Sequence, residues 1–245
     1  MKEGKEAFAL EITDEQLRSN LKSVQQRISD ACLRAGRDPS EVKLIAVSKT
    51  KPVHDIEVLE EAGQLSFGEN YVQELHAKQA ELSRKTEWHM IGHLQRNKVR
   101  YLIGTVALIH SVDSIVLAEQ IEKEAAKKNR MMNILMEINI AEEETKWGFR
   151  KEEAEAAAEQ IAAFPHLRLK GLMTSAPKTD CPETNRIYFR NMKSLADQIA
   201  RQKIPGVSMD ILSMGMTQDF EIAIEEGSSM VRIGTGLFGE RTYSR

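Results

Sequence analysis

The sequence predicts an α/β fold: a single (β/α)8 barrel of the TIM type with one extra helix at its N-terminus. Eight short apolar runs alternate with seven helix-like stretches, the pattern of parallel βαβ units. The 245 residues match the length of one closed barrel. No linker, internal repeat or low-complexity segment divides the chain, so residues 1–245 read as one domain. A doubly wound open sheet also alternates strand with helix, but the count of eight and the absence of a long crossover favour closure.

The elements follow in order. Residues 14–35 place Leu17, Leu21, Val24, Ile28, Cys32 and Leu33 three to four apart, an amphipathic helix that Thr13 or Asp14 can cap. Gly36 ends it and Pro39 follows. The strand runs are 42–48, 65–70, 87–92, 105–112, 133–140, 167–175, 209–215 and 230–239. The intervening helices are 53–62, 71–83, 94–102, 114–129, 151–163, 183–203 and 218–226. Few residues follow the eighth run, so the N-terminal helix is expected to supply the missing outer helix where the chain's ends meet.

Composition narrows the function classes. Hydrophobic residues make up 41% and charged residues 29%, ordinary for a globular protein. A net charge of −3, no dense basic tract and 5% aromatics argue against nucleic acid. The first twelve residues, MKEGKEAFALEI, hold no apolar core of signal-peptide length, and no stretch approaches a membrane span. These features point to the cytoplasm, with no membrane partner. Cys32 and Cys181 read as two free thiols in a reducing compartment.

In such a barrel, function sits at the C-terminal ends of the strands. Here those ends are polar or glycine: Ser48-Lys49-Thr50-Lys51, Gly68-Glu69-Asn70, Ile91-Gly92-His93, His110-Ser111, Asn139, Met173-Thr174-Ser175, Ser213-Met214-Gly215 and Arg232-Ile233-Gly234-Thr235. Small donors with one lysine and one arginine suit a small anionic ligand. Residues 234–239 spell G-x-G-x-x-G, but only six residues follow Gly239. The dinucleotide reading, which needs a helix behind the glycines and an acidic residue about 20 positions on, is rejected. What remains is glycine backbone able to approach a phosphate, in the loop after strand eight where these barrels bind one. A purely structural turn is the alternative.

Arg232, among Met230, Val231 and Ile233, is expected to be buried and in need of partners. It either pairs with a strand carboxylate such as Glu137 or donates to a ligand. Lys49 and Lys51 share a strand face, and Pro52 bends the chain at Lys51. Lys49 is therefore read as still on the strand and facing the mouth. A desolvated amine there suits a Schiff-base nucleophile, and a rim lysine paired with Glu69 is the alternative. His89 and His93 are four apart but lack the helix and glutamate of a zinc motif. Glu142–Glu144 read as a solvated loop, Lys146 as a surface lysine within reach of the mouth, and Met214 and Met216 as flanking a site loop.

Six segments carry a family resemblance: AVSKTKP (46–52), FGENYVQE (67–74), WHMIGHLQRNK (88–98), GLMTSAP (171–177), LSMGMTQDFEIAI (212–224) and GSSMVRIGTGLFG (227–239). In this order, from about residue 20 to the end, they resemble the pyridoxal-phosphate homeostasis protein family. This is the YggS/PROSC-type group, whose barrel is like the N-terminal domain of alanine racemase. The resemblance implies the cofactor pyridoxal 5′-phosphate, with Lys49 as its Schiff-base anchor and Arg232 donating to the pyridine nitrogen. It implies Gly234 and Thr235, with Ser213 and Met214, at the phosphate, and Asn70 beside the cofactor. Thr217 stands where serine is common, Ser175 where an apolar residue is common and Ser229 where threonine is common. The implied role is non-catalytic: holding, buffering or delivering the cofactor in vitamin B6 and amino-acid homeostasis, with apo forms of cofactor-dependent enzymes as partners. A racemase-like enzyme is the alternative. An arginine at the ring nitrogen blunts the electron sink, and with the chain ending at Arg245 the second domain of alanine racemases is not expected.

Overall fold

The computed structural model describes residues 12–82 and 85–239. Residues 1–11, 83–84 and 240–245 lie outside them. So do most of the N-terminal stretch read for a signal peptide, the last residue of the 71–83 helix and both ends of the 1–245 domain. Eight parallel strands close in sequence order. They are β1 (Lys43–Val47), β2 (Ser66–Glu69), β3 (Glu87–Met90), β4 (Leu108–Val112), β5 (Met132–Glu137), β6 (Leu167–Met173), β7 (Val207–Ser213) and β8 (Met230–Ile233). β8 pairs with β1, Ile45 beside Arg232 and Ala46 beside Ile233, which excludes the open sheet.

The helices are α1 (Asp14–Arg34), α2 (Val53–Glu61), α3 (Val72–Glu81), α4 (Ile115–Lys127), α5 (Ala154–Ala162), α6 (Arg186–Arg201), α7 (Phe220–Glu225) and the single turn α8 (Thr235–Phe238). Thr13 caps α1 in a capping box with Gln16. The buried Leu17, Leu21, Val24 and Ile28 each contribute about 1.5–3 kcal/mol toward holding α1 on the barrel. Asn20 donates to the Leu237 carbonyl at 2.9 Å, and Arg27 and Arg34 pair with Glu221 and Glu225 on α7. The N-terminal helix thus packs against α7 and α8, beside the last strand, as the missing outer helix.

Several segments depart from the sequence reading, two of them at the site's margins. Residues 94–102 hold a 3-10 helix, Arg96–Tyr101, instead of an α-helix. Buried Val99 and Leu102 are three apart, which matches three residues per turn. The run 230–239 is strand only to Ile233, and a helical turn opens at Gly234. That turn is a single one, too short for the helix of a dinucleotide fold. Cys32 is buried, Cys181 exposed, and they are unpaired.

The barrel interior is layered. Ile45, Leu108, Leu135, Met173 and Met230, with Ile211, form an apolar cluster separate from the core beneath the helices. Two residues further along each strand, on the same face, come Val47, His110, Glu137, Ser175, Ser213 and Arg232. An apolar plug therefore carries a mostly polar layer facing the C-terminal mouth. Among the described residues, no helix is long and apolar enough to cross a membrane.

Candidate functional site

The mouth is built from neighbouring strand ends. β1 stops at Val47, so Lys49 lies in the turn beyond it, which corrects its placement on the strand. Lys51 N–H closes that turn onto the Ser48 carbonyl at 3.0 Å, and Thr50 takes a left-handed φ of 63°. Pro52 then caps α2. Behind the turn, the Lys78 ammonium donates to the Ser48 carbonyl (2.7 Å), Glu69 Oε1 (2.8 Å) and Glu74 Oε1 (2.7 Å). Ser48 Oγ donates to Glu69 Oε1 at 2.7 Å and Thr50 N–H to Glu74 Oε1 at 2.5 Å. The Glu69 and Lys78 side chains are 0% and 6% exposed. Burial pushes the Glu69 carboxyl up, against Lys78 and Ser48, which pull it down.

Asn70 lies at the end of β2, beside the β1 end. It packs under Gly92, where an added Cβ would stand 2.6 Å from the Asn70 Cα, so only glycine lets the β3 turn close over it. On the other side of β1, Gly234 lies against Val47. Thr235 opens α8, and Thr217 reaches it: its Oγ1 meets Thr235 Oγ1 at 3.1 Å and accepts from Gly236 N–H at 3.2 Å. The carbonyl end of this turn is held by Asn20 and by Lys51 Nζ, which donates to the Phe238 carbonyl at 2.9 Å.

Arg232 is buried in the wall below. One terminal nitrogen donates to the Ser213 carbonyl and Oγ, both at 2.7 Å. The other donates to the Thr174 carbonyl at 2.8 Å and Ser175 Oγ at 3.3 Å. Nε makes no hydrogen bond to a described residue. No Arg232–Glu137 ion pair forms among the described residues; the carboxylate acts from a distance. Burial lowers the Arg232 guanidinium to about 10, against the charges of Glu137 and Asp219, so it stays a cation at neutral pH.

A chain of polar groups continues from Arg232 through the barrel. Ser213 Oγ meets His110 Nδ1 at 2.9 Å, and His110 Nε2 meets His89 Nδ1 at 2.9 Å. His89 Nε2 faces Glu87 Oε1 at 3.7 Å, beyond hydrogen-bond length. Glu87 also takes Ser66 Oγ at 2.6 Å and Lys43 Nζ at 2.9 Å. Because arginine only donates, the assignment that uses each proton once runs from Arg232 to Ser213, His110, His89 and toward Glu87. Burial, with His89 and Arg232 nearby, holds His110 well below the usual histidine range, so it is neutral. His89, with Lys43 and Ser66, holds Glu87 well below the carboxylate range against its burial.

Across the mouth, burial and then Asp113 push Glu137 up to about 7, against Arg232 and Lys146. Glu137, Lys146, Trp147 and Ser175 line a cavity of about 200 Å³. Lys146 donates to the Ser175 carbonyl at 3.2 Å and pairs with Glu143. His93 stacks on Trp147 with centroids 4.0 Å apart and meets Asp113 at 3.0 Å, whereas the buried His89 pairs with His110. No cluster of metal-type ligands occurs among the described residues.

This architecture has close counterparts. The family described as alanine racemase, N-terminal domain, matches residues 12–242. A pyridoxal phosphate homeostasis protein of Aquifex aeolicus is 46% identical over 224 residues, 91% of this chain and 97% of its own. The chain belongs to the pyridoxal phosphate homeostasis protein family. Among solved structures, an unknown protein from Bifidobacterium adolescentis superposes with a TM-score of 0.88 at 34% identity, covering 94% of this chain and 99% of its own. PipY of Synechococcus elongatus, with PLP bound, superposes at 0.78 and 34% identity, covering 91% and 100%.

Within this member of the pyridoxal phosphate homeostasis protein family, four consecutive strand ends, β7, β8, β1 and β2, gather the residues singled out from sequence. Lys49, Asn70, Gly234 and Thr235 lie at the rim and Arg232 beneath them. Ser213 and Met214, at the β7 end, are fully buried. The Ser213 hydroxyl is committed to Arg232 and His110, and Met214 is fully buried with its N–H on the Met230 carbonyl. Thr217, noted only as a departure from serine, is the hydroxyl at the Gly234–Thr235 turn. Lys78 went unnoticed, although it stands three residues after Leu75 and six after Val72, on the buried face of α3.

Proposed function

We propose that the chain binds pyridoxal 5′-phosphate and keeps it in reserve in the cytoplasm, buffering the cofactor or delivering it to apo enzymes that use it. The observation that carries this reading is the state of Arg232. Its terminal nitrogens are spent on four wall acceptors, and its Nε–H has no described partner. That leaves one rigid donor for an acceptor atom of a ligand. The fixed cation favours a ring nitrogen that carries no proton.

The other residues fit the same group. Pyridoxal 5′-phosphate supplies an aldehyde that condenses with a primary amine and releases water. Lys49 presents that amine, half-buried at the rim. Gly234 and Thr235 offer backbone and hydroxyl donors to the phosphate, joined by the Thr217 hydroxyl. A Cβ on Gly234 would meet nothing nearer than 3.5 Å, so packing does not demand glycine there; close approach of a phosphate does. Asn70, at the β2 end, would lie beside the bound cofactor, Ser213 holds Arg232 and Met214 is buried beside it. An unprotonated ring nitrogen is a weak electron sink, which favours a carrier over a catalyst.

Borohydride reduction of the loaded protein should fix the cofactor to Lys49 by peptide mass, and Lys49→Ala should abolish it; a reducible adduct unchanged in Lys49→Ala sinks the assignment. Mixing loaded protein with an apo enzyme tests delivery: activity should return faster than with free cofactor. Amino-acid racemisation at about 1 per second or more, within the usual enzyme range, would overturn the carrier reading.

A further inference from the structure

We propose that Lys78, held between Glu69 and Glu74, is a positioning residue that sets where the Lys49 amine stands. The proposal rests on the reading of Lys49 as the covalent anchor. The two peptide units flanking Lys49 are the Ser48 carbonyl before it and the Thr50 N–H after it. The Ser48 carbonyl accepts directly from Lys78, and Thr50 N–H donates to the Glu74 oxygen that Lys78 also holds. Ser48 Oγ is tied to Glu69 as well. All three ammonium protons of Lys78 are used, and each goes to a group that governs this one turn.

Two features argue that the arrangement serves placement. Thr50 sits at φ 63°, a conformation that β-branched residues rarely take and that persists only where the surroundings impose it. The Glu74 carboxylate holds the Thr50 N–H in that conformation, together with the Lys51 N–H bond that closes the turn on Ser48. A buried lysine–glutamate pair is also a poor way to stabilise a fold, because apolar residues of similar volume often do as well. Such a pair does fix a geometry. α3 carries Glu74 and Lys78 four residues apart, and β2 carries Glu69, so the Lys49 turn is tied to two elements besides its own strand.

The test separates placement of the amine from affinity for the rest of the cofactor. Pyridoxamine 5′-phosphate has the phosphate and ring but no aldehyde, so its binding reports everything except Lys49 attachment. In Lys78→Met, the rate of borohydride-trappable attachment should fall on the order of tenfold to a hundredfold, the scale of a misplaced reacting group. Pyridoxamine 5′-phosphate affinity should change less than about twofold, well inside the tenfold that 1.4 kcal/mol represents. Glu74→Gln, at a partly exposed site, should fold if Lys78→Met does not, and should slow attachment in the same sense. Wild-type attachment rates in the folded variants, or an equal loss of pyridoxamine 5′-phosphate binding, overturn the proposal. Failure of the underlying reading looks different: wild-type protein would itself trap no cofactor on Lys49.

Discussion

Two buried polar networks meet at the mouth of this barrel, and they are built on opposite electrostatic terms. Behind Lys49, the Lys78 ammonium is in direct contact with two carboxylates and a carbonyl. Behind Arg232, the cation touches only neutral acceptors, and its hydrogen bonds pass through Ser213 to His110, held neutral, and then to His89 before a carboxylate appears at the far end of the barrel. The first network cannot lose a member without stranding a charge. The second loses a hydrogen bond at a time. The contrast suits what each holds: a turn that must keep one conformation, and a guanidinium that needs a free donor and a rigid seat.

Breaking the charged network should have the larger effect. Glu69→Leu leaves Lys78 enclosed with one carboxylate fewer, and should cost about 3–5 kcal/mol in urea unfolding. Adding Lys78→Met should recover most of that loss, since an apolar pair needs no counter-charge. A double variant as unstable as Glu69→Leu would mean that packing, not charge, dominates. His110→Phe cuts the neutral network and leaves Ser213 and His89 each short of a partner, at about 1–3 kcal/mol. A loss above that of Glu69→Leu would reverse the comparison.

The two networks also differed in how far sequence could reveal them. Lys49, Arg232 and the Gly234–Thr235 turn were legible because each lies at a strand end, and strand ends are read from local apolar runs and glycines. The eight strands and the closing helix α1 were legible for the same reason. The placement of Lys49 on β1 was not, because the strand gives way to a turn at Ser48 that is held in part by contacts with α3, far along the chain. His110 was visible as the polar end of β4, but its pairing with His89, 21 residues away, depends on two strands lying side by side with those positions turned inward. The family resemblance implies Ser213 at the phosphate; that its hydroxyl also meets Arg232, 19 positions later, depends on two neighbouring strands and was not legible in the sequence.

Glu137 offers a pH test of the neutral side. Its carboxyl is raised to about 7 by burial and Asp113, with Arg232 and Lys146 opposing. A carboxyl raised on folding is protonated in both states at low pH, so its full contribution is present below the ordinary carboxylate range. It is lost as pH climbs through about 7, because the unfolded chain ionises first. Stability should therefore decline between about pH 5 and 7 by on the order of 1–2 kcal/mol after solvent screening, and Glu137→Gln should flatten that decline. An unchanged slope in Glu137→Gln would assign the decline elsewhere.

The smallest effect carries the sharpest distinction. Thr50 is exposed and left-handed at φ 63°. Glycine takes that conformation without penalty, though it gains freedom in the unfolded chain. Thr50→Gly should therefore raise stability, by about 0.5–1 kcal/mol at most. A turn that reaches other conformations more readily should also hold the Lys49 amine less firmly, so borohydride-trappable attachment should slow while the melting temperature rises. Most substitutions that loosen a site also weaken the fold, and this one separates the two. A more stable Thr50→Gly protein with wild-type attachment would show that Ser48 and Lys78 hold the amine without help from Thr50. A less stable one would show that the Glu74 bond to Thr50 N–H outweighs the strain it imposes.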